Sequence, residues 1–315
     1  MTGVSDLPFR QAAVASGAPY VATEMVASAQ FAKGRPDVVR RAAVGDGMPL
    51  MVVQLVGREV SCIAEGARLA VSAGAQIVDL NFGCPAKSVT GAACGSALMR
   101  ELDLAERLIG AAVEAVEAPV TVKMRLGWDS GSINAAELAV RAERAGAKAL
   151  SVHGRTRCQF YGGSADWRAV HAVKVAVAIP VLVNGDIVDG QSALRALGQS
   201  GADGVMIGRA ATGRPWIASQ LQAALDGGNF AEPGPRERLG IVIRHMNASV
   251  AFYGERLGVR VFRKHLAGYV DAAPWPRSAA ARRQARARLC RLDRVGDIET
   301  ALWEIWGREE LRLAA

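Results

Sequence analysis

The chain has 315 residues, of which 50% are hydrophobic and 22% are charged, and its formal net charge is +8. These proportions are typical of a soluble globular protein with a large core. No apolar run approaches the roughly 20 residues that cross a bilayer, and the first residues lack the charged-then-apolar order of a signal peptide. The five cysteines have no CxxC spacing and are odd in number. This argues against a zinc knuckle or a disulfide framework and predicts a reducing, cytoplasmic location.

Most of the excess positive charge lies in the last quarter of the chain. Residues 230–315 contain 16 basic and 10 acidic residues, a net charge of +6, whereas residues 1–229 have a net charge of +2. This distribution suits a polyanionic partner, although a solvated helical surface can have the same composition.

Short β-rich runs recur along the chain with helical stretches between them. Seven strands are predicted, at 19–26, 50–57, 75–83, 119–127, 148–155, 180–187 and 204–211. Their residues are β-branched and apolar on both faces, as expected for parallel strands that are buried on each side. The βα repetition and the length predict an α/β fold that closes into a (β/α)8 TIM barrel, with an open doubly wound sheet as the alternative.

The entries to these strands alternate between two kinds. Four strands follow a Gly-Ala pair, in which glycine suits the left-handed cap of the preceding helix. The other three open on Pro49, Pro119 and Pro180, where a missing N–H is tolerated. By this alternation the absent strand is the first of eight. We therefore expect the chain as written to begin just after that strand, as a misassigned start codon would produce, and an in-frame strand-like segment upstream would test this.

The pattern changes after the seventh strand. Residues 226–238 are rich in Gly, Pro and charge and predict a linker. Helical patterns follow at 236–255, 259–270, 276–294 and 296–313, separated by Gly258 and by Pro274 and Pro276. We therefore predict a barrel domain at 1–228 and a small all-helical domain at 229–315.

Polar side chains recur at the ends of the predicted strands. They are Glu24, Gln54, Asn81, Lys123, Arg125, His153, Asn184, Asp186 and Arg209. Each one alone is more often a satisfied structural group than a ligand. Together they occupy the carboxyl ends of buried strands, where barrels bind substrates, and buried polar groups are costly without partners. The joint pattern predicts a shared ligand site.

Two loops indicate a phosphate-bearing ligand. NGDI at 184–187 and IGRA at 207–210 end the last two strands, where barrels commonly bind phosphate through backbone N–H groups. No GxGxxG motif opens a strand–helix unit, so a Rossmann-bound dinucleotide is not supported. Lys123 emerges opposite these loops, where a cation could lie against the electron-rich edge of a reduced cofactor.

The combined motifs resemble the tRNA-dihydrouridine synthase family, close to its bacterial B-type branch. They are GVSDLPFR (3–10), QLVG (54–57), DLNFGCPAKSV (79–89), VKMRLGW (122–128), VHGRT (152–156), NGDI (184–187) and MIGRAATGRPW (206–216). The resemblance implies an FMN-binding barrel followed by a helical tRNA-binding domain. It also implies the reduction of a D-loop uridine of tRNA, position 17 in this branch, with electrons from NADPH or NADH.

The resemblance implies a role for each matching residue. Gln54 and Lys123 would contact the isoalloxazine ring. Asn184, Gly185, Asp186, Gly208 and Arg209 would serve the ribityl chain and phosphate, with His153 close by. Asn81 and Arg125 would lie at the uridine and flavin face. Of the family's Ala-Pro-Met stretch at the flavin, only Met1 is present in this chain.

Cys84 lies on a turn between Gly83 and Pro85. From the residues alone, burial as a small hydrophobic group is the default interpretation. The resemblance implies instead that Cys84 is the general acid that protonates C5 of the uracil ring, opposite the flavin. A thiol with a reference pKa of about 8.5 is mostly protonated at neutral pH and can act as an acid.

Contact with RNA is expected from basic residues. Arg282 and Arg286 share one side of a predicted helix, and Lys87 and Arg155 lie near the expected pocket mouth. Arginine contacts to phosphate would compensate the cost of swinging the uridine out of its loop. A merely solvated arginine-rich helix is the alternative.

Two rival functions remain open at the level of sequence. One is an FMN barrel of the dihydroorotate-dehydrogenase type that acts on a free small molecule. The other is a non-catalytic RNA-binding or regulatory protein. For the leading hypothesis we expect a monomer with no metal and no membrane association.

Overall fold

The computed structural model describes residues 1–45, 47–275 and 278–307. They form two compact units, the first made of Met1–Thr2 and Tyr20–Gly208, and the second of Gly3–Pro19 and the residues from Arg209 onward. The units thus divide at residue 208, and a short N-terminal segment belongs with the C-terminal helices. The predicted domain boundary at 228 remains a prediction about the chain's organisation.

The first unit is built on seven parallel strands that are hydrogen-bonded in chain order. They are β1 (Val21–Ala27), β2 (Met51–Val56), β3 (Ile77–Phe82), β4 (Val120–Arg125), β5 (Ala149–His153), β6 (Val181–Asn184) and β7 (Gly204–Met206). All seven predicted strands are confirmed, each one shorter than predicted. Sequential parallel order with intervening helices is the α/β organisation of a TIM barrel.

The helices of this unit lie between the strands. They are α2 (Ser28–Ala32), α3 (Pro36–Ala42), α4 (Val60–Ser72), α5 (Lys87–Thr90), α6 (Leu102–Ala115), α7 (Ala135–Arg144), α8 (Arg168–Ala176) and α9 (Gly190–Ser200), with a 3₁₀ segment at Gly95–Arg100. Helices α4, α6, α7, α8 and α9 pack on the strands beside them. α1 (Leu7–Ala15) precedes all of these in the chain and belongs to the second unit.

Left-handed glycines end the elements that precede alternate strands. Gly17, Gly74, Gly146 and Gly201 have φ values of 89°, 97°, 99° and 66°. A side chain is strained in this conformation, so glycine is favoured where the helix must stop and turn into the strand. The interpretation of the Gly-Ala pairs as helix caps is confirmed.

The two faces of the sheet differ in chemistry. The face toward the helices carries fully buried apolar side chains such as Val53, Leu55 and Val78. The inner face carries polar groups at alternate positions, including Asp79 and Asn81. The expectation of strands that are apolar on both faces is therefore wrong. The inner polar groups are tolerated because they bond to one another across the strands.

The second unit is helical. It comprises α1 together with α10 (Ile217–Leu225), α11 (Pro235–Tyr253), α12 (Glu255–Ala272), α13 (Ala279–Leu289) and α14 (Val295–Leu302), with a 3₁₀ turn at Arg209–Ala211 and a π turn at Trp303–Gly307. The four helices predicted after the linker correspond to α11–α14. Residues 276, 277 and 308–313 of those predicted helices lie outside the described residues.

The break between α11 and α12 falls at Gly254, whose φ is 78°, and not at Gly258 as predicted. Gly258 lies inside α12, where a Cβ would come within 2.7 Å of the Ser249 carbonyl oxygen and of Val250 Cα. Glycine is needed there because the two helices approach each other too closely for a side chain. The sequence pattern thus predicted the two helices correctly, but Gly258 is a packing glycine and does not end a helix.

The core of the second unit contains a buried polar group. Asp6 caps α1 by accepting a hydrogen bond from the Phe9 N–H at 3.1 Å, and the Tyr253 hydroxyl donates to its other oxygen at 3.2 Å. His245 and His265 are buried beside it. One potential ligand atom from each of Asp6, His245 and His265 lies within 4.8 Å of the others. The expectation that the chain binds no metal thus remains a prediction. Within the described residues, no helix is long and apolar enough to cross a membrane.

Candidate functional site

The polar residues at the strand ends lie side by side on the inner face of the sheet. In the register of the parallel pairs, Asn81 lies opposite Lys123, Arg125 opposite His153, and His153 opposite Asn184. Parallel strands place residues in register on the same face. The structure therefore brings together the predicted site residues of β3, β4, β5 and β6.

A chain of short hydrogen bonds joins β2, β3 and β4. The Thr121 hydroxyl donates to Asp79 Oδ1 at 2.7 Å, and the Gln54 amide donates to Asp79 Oδ2 at 2.6 Å. The Asn81 amide in turn donates to Gln54 Oε1 at 2.7 Å. Asp79, Gln54 and Asn81 are all buried. Each of these side chains therefore has partners within the site, and the bonds hold the three in one arrangement.

The turn that carries Cys84 is fixed to this chain. Asn81 Oδ1 accepts hydrogen bonds from the backbone N–H groups of Gly83 at 3.1 Å and Cys84 at 2.8 Å. The Arg125 guanidinium donates to the Gly83 carbonyl at 2.9 Å. The N–H and hydroxyl of Ser96 both donate to the Cys84 carbonyl. The backbone around the half-exposed thiol is thus held from three directions.

Gly95 allows the following loop to close on this turn. Its φ is 60°, and a Cβ there would lie 3.0 Å from the Cys84 carbonyl oxygen and 2.8 Å from a methyl group of Val89. Both the backbone conformation and the space require glycine. The cysteine turn is therefore packed against the loop that supplies Ser96.

Three charged groups of the site influence one another. Burial raises the pKa of Asp79 to about 6, and the hydrogen bonds from Thr121 and Gln54 and the charge of Lys123 oppose this rise. Protein closely surrounds the Lys123 ammonium although part of the side chain remains accessible. Burial and the charge of Arg125 lower the pKa of Lys123 to about 8, while Asp79 and Cys84 raise it. Near neutral pH the site therefore holds a carboxylate and a cation together.

Arg125 remains charged at this position. Burial lowers its pKa to about 10, which still leaves the guanidinium protonated at neutral pH. Beyond Gly83, it donates to the carbonyls of Thr156 at 2.7 Å and Phe160 at 3.0 Å. The side chain thereby ties the cysteine turn to the loop after β5.

The loop after β6 is held by an ion pair. The Arg155 guanidinium donates to both oxygens of Asp186, at 3.0 and 2.5 Å, and the Ala165 N–H donates to the same carboxylate at 2.8 Å. Asp186 adopts a left-handed φ of 55° directly after Gly185 at 112°. The predicted RNA residue Arg155 is 2% exposed. The structure thus places its guanidinium inside the protein, where it orders the NGDI loop.

The remaining cofactor candidates lie at the ends of β6 and β7. The Asn184 amide donates to the Met206 carbonyl at 2.8 Å, which links the two strands beyond their backbone pairing. A Cβ on Gly208 would meet only the Met1 sulfur, at 3.8 Å, so Met1 and Gly208 are neighbours. Arg209 begins the 3₁₀ turn of the second unit.

The predicted RNA contacts differ in exposure. Lys87 is exposed at the start of α5, three residues after Cys84. On α13, Arg286 is exposed and pairs with Asp271 at 2.8 Å, and Arg282 is half-buried. Ion pairs of this exposure contribute little stability.

Sequence reasoning missed three residues that organise the site: Asp79, Thr121 and Ser96. The first two could have been found, because each precedes a predicted site residue by two positions on the same strand and so shares its face. Ser96 left no such signal, since its partner is the backbone of a residue twelve positions away.

The fold is α/β and TIM-barrel-like, and polar groups lie at the carboxyl ends of its strands. The chain is similar in fold to histamine dehydrogenase of Rhizobium sp. 4-9, with a TM-score of 0.54 and 12% identity over 78% of this chain and 46% of that chain.

The family model for dihydrouridine synthase (Dus) matches residues 1–295. A probable tRNA-dihydrouridine synthase of Rhodobacter capsulatus is 52% identical over 88% of this chain and 86% of its own length. The tRNA-dihydrouridine synthase B of Pseudomonas putida is 43% identical over 90% of this chain and 84% of its own. The chain therefore belongs to the dihydrouridine synthase family of oxidoreductases, and the resemblance predicted from its motifs is confirmed.

Proposed function

We propose that this protein is an FMN-dependent tRNA-dihydrouridine synthase that reduces the C5–C6 bond of a D-loop uridine, at position 17, with electrons from NADPH or NADH. The observation that carries the proposal is the Cys84 turn, which is fixed to Asn81 and Arg125 within the electrostatic range of Lys123. The relatives are named as tRNA-dihydrouridine synthases, which supports this activity on tRNA.

The donors on the inner face fit the acceptor-rich edge of an isoalloxazine ring. Gln54 and Asn81 each use one N–H of the side-chain amide in the hydrogen-bond chain described above. Their second N–H groups have no partner within the described residues and can donate to a ligand. The Lys123 ammonium, which protein closely surrounds, adds a cation beside them. The absence of a side chain at Gly208 and the backbone of the NGDI loop suit the ribityl chain and phosphate, with His153 as a further contact. The role of Arg209 rests on the resemblance alone.

When bound, FMN would supply the hydride that adds to C6 of the uracil ring. Cys84 would hold the proton that is delivered to C5, so that one hydride and one proton complete the reduction. Asn81 and Arg125 hold the peptide group that precedes Cys84, through the Cys84 N–H and the Gly83 carbonyl. Because the backbone of the turn is already held, we expect the proton to be presented with little reorganisation.

The substrate's remaining parts would contact basic residues. Lys87 is exposed three residues after Cys84, and Arg282 and Arg286 belong to the arginine-rich helix α13. Phosphate contacts from such residues would offset the cost of extruding the uridine from its loop. A cytoplasmic, monomeric enzyme without a metal is consistent with this role and remains part of the proposal.

The test is dihydrouridine formation by the purified protein on tRNA from cells that lack this gene. With FMN and NADPH or NADH, mass spectrometry should detect dihydrouridine at position 17. Reduction of free uridine or orotate-like pyrimidines, with none in tRNA, would instead favour an enzyme that acts on small molecules. A protein that neither binds FMN nor acquires a flavin spectrum would contradict the proposal.

A further inference from the structure

Asp79 occupies the centre of the buried hydrogen-bond chain although no motif assigns it a function. It lies on β3, two residues before Asn81, and is 4% exposed. Each of its two carboxylate oxygens accepts one short hydrogen bond, from Gln54 and from Thr121. A buried carboxylate is costly, so its retention among apolar strands calls for a physical role.

The chemistry of the carboxylate sets the direction of every bond that follows. An ionised Asp is an acceptor only, whereas the side-chain amide of Gln or Asn has similar shape in both orientations. Asp79 therefore obliges Gln54 to present its NH₂ group to β3, which leaves the Gln54 carbonyl for the NH₂ group of Asn81. Asn81 must then present its carbonyl to the N–H groups of Gly83 and Cys84.

The same carboxylate acts on the cation of the site. The charges of Asp79 and Lys123 influence each other's pKa in the direction expected for opposite charges. This attraction favours the protonated ammonium at a position where burial disfavours it. Asp79 thus acts on Gln54 and Asn81 through hydrogen bonds and on Lys123 through its charge.

We propose that Asp79 is a positioning residue that fixes the amide donors of Gln54 and Asn81 and, through them, the turn that carries Cys84. The proposal rests on the proposed function in so far as these donors serve a flavin. Asp79 does not touch the reacting atoms in this assignment.

Three variants separate the effect of Asp79 on amide orientation from the effect of its charge and from a general loss of protein stability. Asp79→Leu cannot accept a hydrogen bond and leaves the donors of Gln54 and Thr121 unpaired. Asp79→Asn removes the charge, but its carbonyl can still accept from Gln54 while its NH₂ group donates to the Thr121 hydroxyl. Val78→Ala is the matched control, because it removes buried volume from the same strand on the face toward the helices.

Two readouts report on the two ends of the chain. The FMN dissociation constant, measured by flavin fluorescence, reports on Gln54 and Asn81. The alkylation rate of Cys84, followed by peptide mass spectrometry to separate it from the other four cysteines, reports on the turn.

Asp79→Leu should weaken FMN binding at least tenfold and change the alkylation rate several-fold. Asp79→Asn should restore both to within about threefold of wild type. Val78→Ala should lower the Tm without altering either readout. If Asp79→Leu lowers the Tm but matches wild type in both readouts, Asp79 has only a structural role and the proposal fails.

The experiment also distinguishes this inference from the proposed function. If the wild-type protein does not bind FMN, the proposed cofactor is wrong. Cys84 alkylation in the flavin-free protein then still decides whether Asp79 controls the turn. Equal alkylation rates for wild type and Asp79→Leu in that protein would overturn the inference on its own.

Discussion

Each unit of the protein contains a buried polar cluster, and the two clusters are satisfied differently. In the first unit, Gln54, Asp79 and Asn81 are joined by hydrogen bonds of 2.6–2.7 Å. In the second, Nε2 of His245 and both ring nitrogens of His265 have no hydrogen-bond partner within the described residues. The first cluster is polar and directional, whereas the second behaves as part of the apolar core.

The packing around the histidines explains this difference. The Phe9 ring stacks on His265 with centroids 5.3 Å apart, and His245 meets Phe262 edge to face at 5.0 Å. Burial lowers the pKa of His245 to about 3 and that of His265 to about 2. A neutral imidazole can pack like an aromatic ring, but only while it remains neutral. The comparison therefore predicts chemistry in the first cluster and acid sensitivity in the second.

The largest expected effect is the loss of the thiol that the first cluster positions. Cys84→Ala should reduce dihydrouridine formation by at least a hundredfold, because general acids typically contribute about 10²–10⁴ to the rate. Flavin reduction by NADPH should persist, since the turn is held by backbone bonds. Cys158→Ala, at an exposed cysteine, is the control and should match wild type. Wild-type turnover of Cys84→Ala on tRNA would remove this thiol from the mechanism.

The next effect concerns the cation of the same cluster. Lys123→Met keeps the length of the side chain without its charge and should weaken FMN binding by roughly tenfold or more. Because the pKa of Lys123 is lowered to about 8, wild-type affinity should fall as the pH rises through 8. Lys123→Met should lose this pH dependence, whereas the exposed control Lys148→Met should retain it. Identical titration curves for wild type and Lys123→Met would contradict the placement of this residue.

Local periodicity was sufficient to predict the elements of both units. Alternating β-rich runs and left-handed glycines identified β1–β7 because parallel strands and helix caps leave signals within a few residues. The predicted ends of β2–β7 lie one to five residues too late, whereas β1 ends one residue later than predicted. Gly258 was misassigned because a glycine that permits helix contact looks the same in sequence as one that ends a helix.

Contacts between distant residues were not predictable in the same way. The hydrogen bond between Gln54 and Asp79 depends on the register of β2 and β3. The buried Arg155 pairs with Asp186, which lies 31 residues away in the sequence. Likewise, Asp6 meets His265 only because α1 belongs to the second unit. Motifs indicated candidate site residues, whereas the hydrogen bonds of the structure show which of these side chains contact one another.

The acid sensitivity of the second cluster gives a smaller, thermodynamic effect. A lowered folded-state pKa means that the unfolded protein binds more protons, so stability is lost as the pH falls below about 6.5. At pH 5, each buried histidine would cost up to about 2 kcal/mol. Unfolding by urea at pH 7.5 and 5 measures this loss. His265→Phe should lose less stability on acidification than wild type, whereas His171→Phe, at an exposed site, should behave like wild type. If the free energy of unfolding depends on pH equally in His265→Phe and wild type, His265 is not a source of the acid sensitivity.

The smallest expected effect lies on the surface of the second unit. Arg282→Glu combined with Arg286→Glu should raise the apparent KM for tRNA several-fold and reduce its dependence on salt, because fewer counterions are released on binding. Flavin reduction by NADPH should not change. The substitution Arg286→Glu places a new negative charge beside its former partner Asp271. The Tm of the double variant must therefore be compared with that of wild type. The control is Arg168→Glu with Arg195→Glu, which alters the net charge equally on exposed helices of the first unit. If both double variants raise the KM by the same factor, net charge alone accounts for the effect and α13 is not the RNA surface.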